Sequence, residues 1–363
     1  MRSFFSKKRM IPMIGLLLIL TSCGGQQEEE SESVSKRETE HKILAENLSI
    51  PWSIVKDGGD FYLTERTGGI VEIKEGRQAK VKVNLSKPLA SQPEAGFMGL
   101  VLHPDFKENQ QAFAYYTYNA EDGTPYNRVV VLKRSGDAWD ETRVLLDKIP
   151  SGAQYHHGGR LKIGPDGKLY ITTGDATQEE KAQDLSFLGG KILRINLDGS
   201  IPDDNPFADS PVYTYGHRNP QGLAWNEAGK LYGTEHGPNG YDEVNLIEAG
   251  KNYGWPEITG DEKAEGMVSP LAHSGEPSWA PSGADFWNDK LVFAALGGQS
   301  VKLFDPGTKE VKTLIKGFGR IRDVLVEGDT LYFVSNNTDG RGLPKENDDK
   351  LYQVDMNSLT LEE

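Results

Sequence analysis

Apolar and polar residues alternate in short segments that recur from about residue 50 onward. Each segment follows a glycine or a polar turn and carries alternating apolar or aromatic side chains. The six copies are residues 60–64, 112–116, 168–172, 230–234, 290–294 and 330–334. Alternation with a period of two predicts β-strands. Most copies are followed, after a turn, by a second apolar strand, so each repeat is hairpin-like.

The length of the repeat indicates the architecture. Successive copies start 40 to 62 residues apart, and a repeat of this length with several strands per unit is typical of β-propeller blades. Six copies predict an all-β fold, a six-bladed β-propeller over residues 41–363. The unequal spacing predicts different loops on one face, where a rigid scaffold usually carries its functional residues. The alternative is a β-sandwich or two stacked sheets, which would not require six similar hairpins.

The composition favours the same fold class and excludes one class of partner. The chain contains 41 glycines and 19 prolines, which suits short strands joined by tight turns. Its 40 basic and 54 acidic residues give a formal net charge of −14. Because this charge repels phosphate backbones, nucleic acid is not expected as a partner.

The first residues differ in character from the repeats. A basic stretch precedes the apolar run of residues 11–20, which is too short to span a bilayer. The letters LTSCG that follow resemble a bacterial lipobox, in which cleavage exposes a cysteine for lipidation. That cysteine is Cys23, and the chain has no other, so disulfides are excluded. Residues 1–22 are therefore predicted to be a lipoprotein signal peptide. The alternative is a small cysteine packed at the end of a signal helix.

A charged segment follows the lipobox. Residues 26–40, with the letters QQEEESESVSKRETE, contain no large apolar residue except Val34. Such a segment buries too little apolar surface to offset its ordering entropy. Residues 23–40 are predicted to be a flexible tether, with the folded domain held outside the cytoplasm at the cell membrane by acyl chains on Cys23.

The densest polar cluster contains adjacent histidines, His156 and His157, and an acid further along, Asp175. A histidine titrates near neutral pH, and a carboxylate within hydrogen-bond reach would fix its tautomer and raise its basicity. All three residues fall in one predicted blade, which suits a general base. Adjacent loop histidines also serve as hydrogen-bonded scaffolding or as a weak metal site, and both alternatives stay open.

Two further clusters carry arginines. Arg218 and Asn219 lie between glycines that permit close approach of a ligand. Arginine presents a planar fork of donors, so this pair suits a flat, carboxylated ligand. Arg320 and Arg322 are two positions apart and therefore point to one face of a strand. Salt bridges between neighbouring blades are the alternative for both clusters.

The segment of residues 234–243 combines turn carbonyls with several acids. Hard cations such as Ca²⁺ bind oxygen ligands of both kinds, so a calcium site is predicted here. The segment lacks the spacing of an EF-hand, and its own spacing does not identify the metal.

These segments, in this order, resemble the glucose/sorbosone dehydrogenase family of quinoproteins, which use pyrroloquinoline quinone (PQQ). The similarity covers roughly residues 45–355. It rests on the letters GFMGLVLHPDF at residues 96–106, the pattern His-x-x-Gly-Arg beginning at His156, and the letters NYGWP at residues 252–256. The resemblance implies a six-bladed propeller that oxidises an aldose sugar.

The resemblance also implies roles for single residues. His156 matches the catalytic base and Asp175 the acid that supports it. The positions that match cofactor-binding residues are Glu94, Arg218, Asn219, Arg320 and Arg322. Arg218 would in addition stabilise the negative charge that develops on oxygen during the reaction.

Metal ligands follow from the resemblance in the same way. Gly237 and Pro238 match backbone carbonyls that ligate the calcium ion next to the quinone. Glu243 and Tyr253 lie where some relatives bind a further calcium near a dimer contact, which makes them a second candidate metal site.

The chain departs from the family pattern at two positions. Relatives often supply a cofactor-binding lysine where this chain has Gly297, which lowers the expected PQQ affinity unless Gln299 or Lys302 compensates. Loss of a charge-assisted contact costs about 1.5 to 3 kcal/mol, or roughly ten- to a hundred-fold in affinity. His236 stands where some relatives carry glutamine.

The function implied by the resemblance is oxidation of an aldose at its anomeric carbon to the lactone, dependent on PQQ and Ca²⁺. His156 would remove the hydroxyl proton while the hydride passes to PQQ. One alternative is a calcium-dependent six-bladed lactonase or esterase. Another is a non-catalytic sugar-binding propeller, which is suggested by Gly297 at the position where relatives often have a cofactor-binding lysine. The sequence determines neither the sugar nor the electron acceptor.

Overall fold

Short strands make up most of the regular structure in the computed structural model, which describes residues 40–359. The strands β1–β24, in chain order, are Lys42–Ala45, Pro51–Asp57, Asp60–Glu65, Ile70–Lys74, Arg77–Asn84, Phe97–Leu102, Gln111–Asn119, Pro125–Ser135, Ala138–Pro150, Leu161–Ile163, Leu169–Thr173, Lys191–Ile195, Val212–Tyr215, Pro220–Trp225, Leu231–Glu235, Glu243–Ile247, Ala272–His273, Pro281–Trp287, Lys290–Ala295, Ser300–Asp305, Glu310–Lys316, Ile321–Glu327, Thr330–Ser335 and Leu351–Asp355. The helical segments in this part of the chain are α1, Phe106–Asn109, and two 3₁₀ helices, Glu179–Gln183 and Met356–Ser358. The predicted all-β class is confirmed.

The strands form six antiparallel units of four. Units 1 to 5 each use four consecutive strands, beginning with β2, β6, β10, β14 and β18, and unit 6 uses β22, β23, β24 and β1. A short parallel pairing of β5 with β9 joins units 1 and 2 into one sheet. In unit 6, β1 pairs with β24 and aligns Lys42 with Gln353. The start and the end of the described chain therefore share one sheet.

The six units form a closed ring. The first strand of each unit contacts the first strand of the next, in the order β2, β6, β10, β14, β18 and β22, and β22 contacts β2 again. The repeats identified in the sequence lie on the second strands β3, β7, β11, β15, β19 and β23. The hairpin partners predicted after them lie on the third strands.

Hydrophobic cores lie between neighbouring units, with one cluster for each of the six junctions. Strand β11 shows how the sequence achieves this, because all five of its residues are buried. Leu169 and Ile171 pack toward unit 2, whereas Tyr170 packs toward unit 4. Alternate side chains point to opposite faces of a strand, so a second strand that is apolar on both faces packs against two neighbours.

Chain direction places two kinds of loop at the same end of the ring. In an antiparallel unit, the segment that enters the first strand lies at the same end as the segment that leaves the second strand. The segment before β10 carries His156, and the segment after β11 carries Asp175. This end of the ring is called the site end below.

The predictions for the N-terminal region concern residues that the structure does not describe. The predicted signal peptide (residues 1–22), the lipidation of Cys23 and the tether up to residue 39 lie outside the described residues. Between residues 40 and 359, no helix combines the length and the apolar character needed to cross a membrane.

Candidate active site

His156 and Asp175 form a hydrogen-bonded pair at the site end. His156 Nδ1 lies 2.7 Å from Asp175 Oδ1, and the Asp175 side chain is fully buried while the His156 side chain is 14% exposed. The second carboxylate oxygen of Asp175 accepts a hydrogen bond of 2.8 Å from Trp255 Nε1. The Thr177 backbone N–H donates to Oδ1 at 2.8 Å. Since Asp175 engages Nδ1, the Nε2 atom of His156 is left to accept a proton.

The backbone around His156 is tightly packed. His156 has a φ of 66°, in the left-handed region. A Cβ atom added to Gly174 would lie 2.2 Å from the His156 carbonyl oxygen, and one added to Gly158 would lie 2.6 Å from the Thr172 carbonyl oxygen. Only glycine allows the two loops to approach this closely, so these glycines fix the position of the His156 ring beside Asp175.

His157 has a different role from its neighbour. Its Nδ1 lies 2.6 Å from Ser151 Oγ, and its carbonyl oxygen accepts a hydrogen bond from the Tyr115 hydroxyl. The side chain is buried, and burial lowers the pKa of His157. The scaffolding alternative from the sequence therefore applies to His157 and not to His156.

Arg218 and Asn219 lie next to this pair, in the segment that enters β14. The Arg218 guanidinium lies over the Trp255 ring, 5.4 Å from its centroid, and Nη1 donates to the His236 carbonyl oxygen at 3.4 Å. Its Nε atom is buried without a hydrogen-bond partner in the described part of the chain, and burial lowers the pKa of Arg218. Asn219 accepts a hydrogen bond of 3.0 Å from the Gly158 N–H, which ties the His156 loop to unit 4.

His236 follows β15 and is buried beside Arg218. Its Nε2 atom has no hydrogen-bond partner among the described residues. Burial lowers the pKa of His236 to about 4, so the imidazole is neutral at physiological pH. A buried, neutral ring with a free nitrogen is positioned to bind a polar ligand atom.

Arg320 and Arg322 differ in their counterions. Arg320 Nη2 pairs with Asp339 Oδ2 at 3.0 Å. Arg322 donates to the side-chain oxygens of Gln221 at 2.9 Å and Asn336 at 3.2 Å, and its Nε atom is buried without a partner. Burial, followed by the charge of a nearby arginine, lowers the pKa of Arg322 to about 9. Among residues 40–359, Arg322 therefore has amide partners but no carboxylate partner.

Glu94 connects the His156 loop with the segment that follows β23. Its Oε1 atom pairs with Arg341 Nη2 at 2.7 Å, and the His156 N–H lies 3.4 Å from Oε2. Burial raises the pKa of Glu94, but the charge of Arg341 and its hydrogen bond to Glu94 lower it, and the pKa is about 2. Glu94 is thus ionised throughout the physiological range.

The structure brings further residues to this site that the sequence reasoning missed. They are Arg66, Arg341 and Asp339. Arg66 is the first residue after β3, as His236 is the first residue after β15. Comparison of the residue that follows the second strand in each repeat would have identified Arg66. No sequence signal indicated the ion pairs made by Arg341 and Asp339.

The predicted calcium ligands lie beside Arg218. Gly237 and Pro238 line a small cavity together with Arg218, Glu243 and Tyr253. Neither the Gly237 nor the Pro238 carbonyl oxygen accepts a hydrogen bond among the described residues. Two free carbonyl oxygens are suitable ligands for Ca²⁺. Within residues 40–359, no group of three or more His, Cys, Asp or Glu side chains could hold a metal ion. A calcium ion at this place would take its remaining oxygen ligands from water, from further carbonyl groups or from a bound molecule.

The second candidate metal site is only partly arranged for a metal. Burial and the charge of Glu235 raise the pKa of Glu243 to about 8, and Asn245 Nδ2 donates to its carboxylate at 3.1 Å. The Tyr253 hydroxyl donates to the Leu246 carbonyl oxygen at 2.5 Å. Because the Tyr253 hydroxyl is used there, this residue could bind a metal only through its backbone carbonyl.

Gly297 lies just beyond β19 and leaves little room for a side chain. A Cβ atom at this position would lie 3.2 Å from the Ala280 Cβ atom and 3.2 Å from the Ser278 carbonyl oxygen. Lys302, one of the two residues considered as compensation for the missing lysine, donates to Thr313 Oγ1 at 3.3 Å, with its ammonium over the Trp279 ring. That ammonium group is engaged away from the arginines of the site.

Known proteins match this chain over nearly all of the six units. The family described as Glucose / Sorbosone dehydrogenase matches residues 48–345. Aldose sugar dehydrogenase YliI of Escherichia coli is 32% identical over 341 residues, covering 82% of this chain and 90% of that protein. Quinoprotein glucose dehydrogenase B of Acinetobacter calcoaceticus is 35% identical over 260 residues. That match covers 62% of this chain but only 54% of the Acinetobacter protein, about half of its length.

A solved structure supports the same relationship. The PQQ-bound form of the aldose sugar dehydrogenase from Streptomyces coelicolor is 33% identical, with a TM-score of 0.80, and the match covers 90% of this chain and 99% of that one. The family match includes every residue described above as part of the site.

Proposed function

Because the chain belongs to the glucose/sorbosone dehydrogenase family, we propose that it is a PQQ- and calcium-dependent aldose sugar dehydrogenase that oxidises the anomeric carbon to a lactone. The observation that carries this proposal is a set of buried nitrogen atoms without partners beside a preformed His–Asp pair. These atoms are Nε of Arg218, Nε2 of His236 and Nε of Arg322. A buried polar atom without a partner is costly, so three at one end of the ring indicate a polar ligand.

The proposed architecture is a six-bladed β-propeller in which each four-stranded unit is a blade. The closed ring of first strands and the six interunit cores support it. In a propeller the blades surround a central channel. Loops from units 3, 4 and 6 can then contribute to one site although His156 and Arg322 are far apart in sequence.

The residues at the site end fit PQQ, a planar quinone with three carboxylates. Arg320 and Arg322 would hold the carboxylates of PQQ. Arg218 and Asn219 would contact a second edge of the cofactor, and Glu94 would lie near the bound sugar. Bound PQQ would supply the acceptor for the hydride. The protein supplies buried cationic donors, which bind anions more strongly than donors at the surface do.

His156 is the proposed general base. Its Nε2 atom would take the proton from the hydroxyl group on the anomeric carbon, and Asp175 would stabilise the resulting imidazolium. Trp255 and Thr177 hold Asp175 in place by hydrogen bonds. Arg218 would stabilise negative charge that develops on oxygen during the transfer.

Gly237 and Pro238 would hold the calcium ion through their carbonyl oxygens, with remaining ligands from PQQ. Calcium there would act as a Lewis acid. Glu243, with the backbone carbonyl of Tyr253, would form the second calcium site. We also propose that the mature protein is extracytoplasmic and anchored by lipid at Cys23, which rests on the sequence of residues 1–40 alone.

The test uses the purified full-length protein. We expect reduction of a redox dye with an aldose only when PQQ and Ca²⁺ are both present, across a panel of aldoses. The His156→Ala variant, checked for folding by circular dichroism, should lose this activity. Absence of dye reduction at every PQQ concentration would reject the dehydrogenase.

Two other outcomes would identify the alternative functions. Hydrolysis of a sugar lactone by the calcium-loaded, PQQ-free protein would favour the lactonase or esterase. Saturable sugar binding without turnover of sugar or lactone would favour the sugar-binding propeller.

A further inference from the structure

Arg66 occupies a defined position at the site end. It follows β3, its N–H donates to the Ile50 carbonyl oxygen at 3.0 Å, and its own carbonyl oxygen accepts from the Phe97 N–H at 3.1 Å. A Cβ atom added to Gly96 would lie 2.7 Å from the Arg66 Cγ atom. The glycine at position 96 therefore makes room for the aliphatic part of the Arg66 side chain, and the backbone on both sides is fixed.

The guanidinium group of Arg66 has no hydrogen bond or ion pair among residues 40–359, although the residue is half-buried. Charged neighbours do surround it. Asp339 and Glu94 raise the pKa of Arg66, but burial lowers it more, and Arg341 and Arg320 lower it further. Arg66 thus lies within the cluster of charged residues already described at the site.

The charges in this cluster do not balance. Glu94 pairs with Arg341 at 2.7 Å, and Asp339 pairs with Arg320 at 3.0 Å. These two pairs use both carboxylates. Arg66 and Arg322 are left without a carboxylate partner.

The two unpaired arginines also affect each other. Burial has the largest effect in lowering the pKa of Arg322, and the charge of Arg66 has the largest effect among its charged neighbours. The charge of Arg66 therefore acts on a buried arginine, and like charges in such a site are unfavourable unless an anion lies between them. The arrangement is therefore suited to a ligand with at least one carboxylate.

We propose that Arg66 is a cofactor-binding residue, and that its guanidinium group pairs with a carboxylate of the same polycarboxylate ligand that Arg322 and Arg320 bind. This inference rests on the proposed function, in which that ligand is PQQ. Arg66 would supply a cation that neither Gly297 nor Lys302 supplies. Its planar fork of donors allows two parallel hydrogen bonds to one carboxylate.

The test measures PQQ binding rather than turnover. The full-length protein with Ca²⁺ and without sugar is titrated with PQQ, and the dissociation constant is obtained by equilibrium dialysis. We expect Arg66→Gln to weaken binding roughly ten- to a hundred-fold, the range for loss of a charge-assisted contact. Arg66→Lys should recover part of that loss. The PQQ affinity of Arg66→Gln should also depend less on salt concentration than the affinity of the unaltered protein does.

The matched control is Arg77→Gln. Arg77 is an exposed arginine on β5, and this variant should bind PQQ as the unaltered protein does. If Arg66→Gln is not folded, comparison of Arg66→Lys with the unaltered protein decides, with at least a threefold weakening expected. Equal affinity of the folded Arg66 variants and the unaltered protein would overturn the inference while leaving the proposed function intact. A failure of the unaltered protein itself to bind PQQ would reject the proposed function, and the inference with it.

Discussion

Two groups of buried arginines in this protein differ in whether a carboxylate balances their charge. Arg128, on β8, makes two hydrogen bonds to the Asp147 carboxylate and one to Ser86 Oγ. Burial lowers the pKa of Arg128, but its bonds to Asp147 and Tyr116 outweigh burial and raise it above its usual value. At the site end, burial and a neighbouring arginine instead bring the pKa of Arg322 to about 9.

Arg194 follows the first pattern. It pairs with Asp204 at 2.8 Å and with Asp166 at 2.9 Å, and the bond to Asp204 has the largest effect in raising its pKa. Away from the site end, Arg128 and Arg194 thus form ion pairs with carboxylates, and these pairs stabilise the folded protein. At the site end Arg66, Arg218 and Arg322 have no ion pair with a carboxylate among residues 40–359, which suits an anionic ligand and does not help the ligand-free protein to fold.

The largest effect is expected from the residue that performs proton transfer. His156→Ala should lower kcat by about 100- to 10,000-fold, the usual contribution of general base catalysis, because no other side chain can take the proton at that position. Steady-state dye reduction with PQQ and Ca²⁺ measures this. PQQ affinity should stay within about threefold of the unaltered protein. Unchanged kcat would show that His156 is not the base.

The stability of the ligand-free protein sharpens the comparison between the two groups of arginines. Arg128→Met should lower the free energy of unfolding by about 2 kcal/mol, because it leaves the buried Glu141 carboxylate and the partly exposed Asp147 carboxylate without their cation. Arg322→Met should lower it by less than Arg128→Met does, because the loss of the hydrogen bonds to Gln221 and Asn336 is offset by removal of a buried charge that has no carboxylate partner among residues 40–359. Urea unfolding of both variants checks the difference, and equal losses would contradict the division into two groups.

A smaller effect is expected from the pH dependence of Glu94. Its pKa of about 2 lies below the usual value for glutamate, so the ionised form stabilises the folded protein above the unfolded-state pKa, and this stabilisation is lost as the pH falls toward 2. The difference in unfolding free energy between the unaltered protein and Glu94→Gln should shrink by about 2 kcal/mol from pH 5 to pH 2.5. Urea unfolding at several pH values measures this. A constant difference would show that Glu94 is not stabilised by its cationic neighbours.

Much of the fold could be predicted from the sequence because strand repeats are local. The six repeats lie on second strands, and their hairpin partners lie on third strands. The pairing of β1 with β24 could not be predicted, since it joins residues about 300 positions apart and depends on closure of the ring.

The site was predictable where short motifs carry it. His156, Asp175 and Arg218 were identified from motif order, and the structure brings them together with Arg322 around one end of the ring. The pairs of Glu94 with Arg341 and of Arg320 with Asp339 join different loops or distant segments, and no local pattern encodes them. The Lys302 ammonium group, one of the two candidates for a contact that compensates for Gly297, is bonded to Thr313.

The most direct test of the central claim is the affinity of the ligand-free protein for PQQ in the presence of Ca²⁺, measured for the unaltered protein, Arg322→Met and Arg194→Met. We predict saturable binding of one PQQ per chain, weakened at least tenfold in Arg322→Met and unchanged in folded Arg194→Met. Absence of saturable binding, or equal affinity in the unaltered protein and Arg322→Met, would contradict the claim that the unmatched positive charge at the site end serves to bind the cofactor.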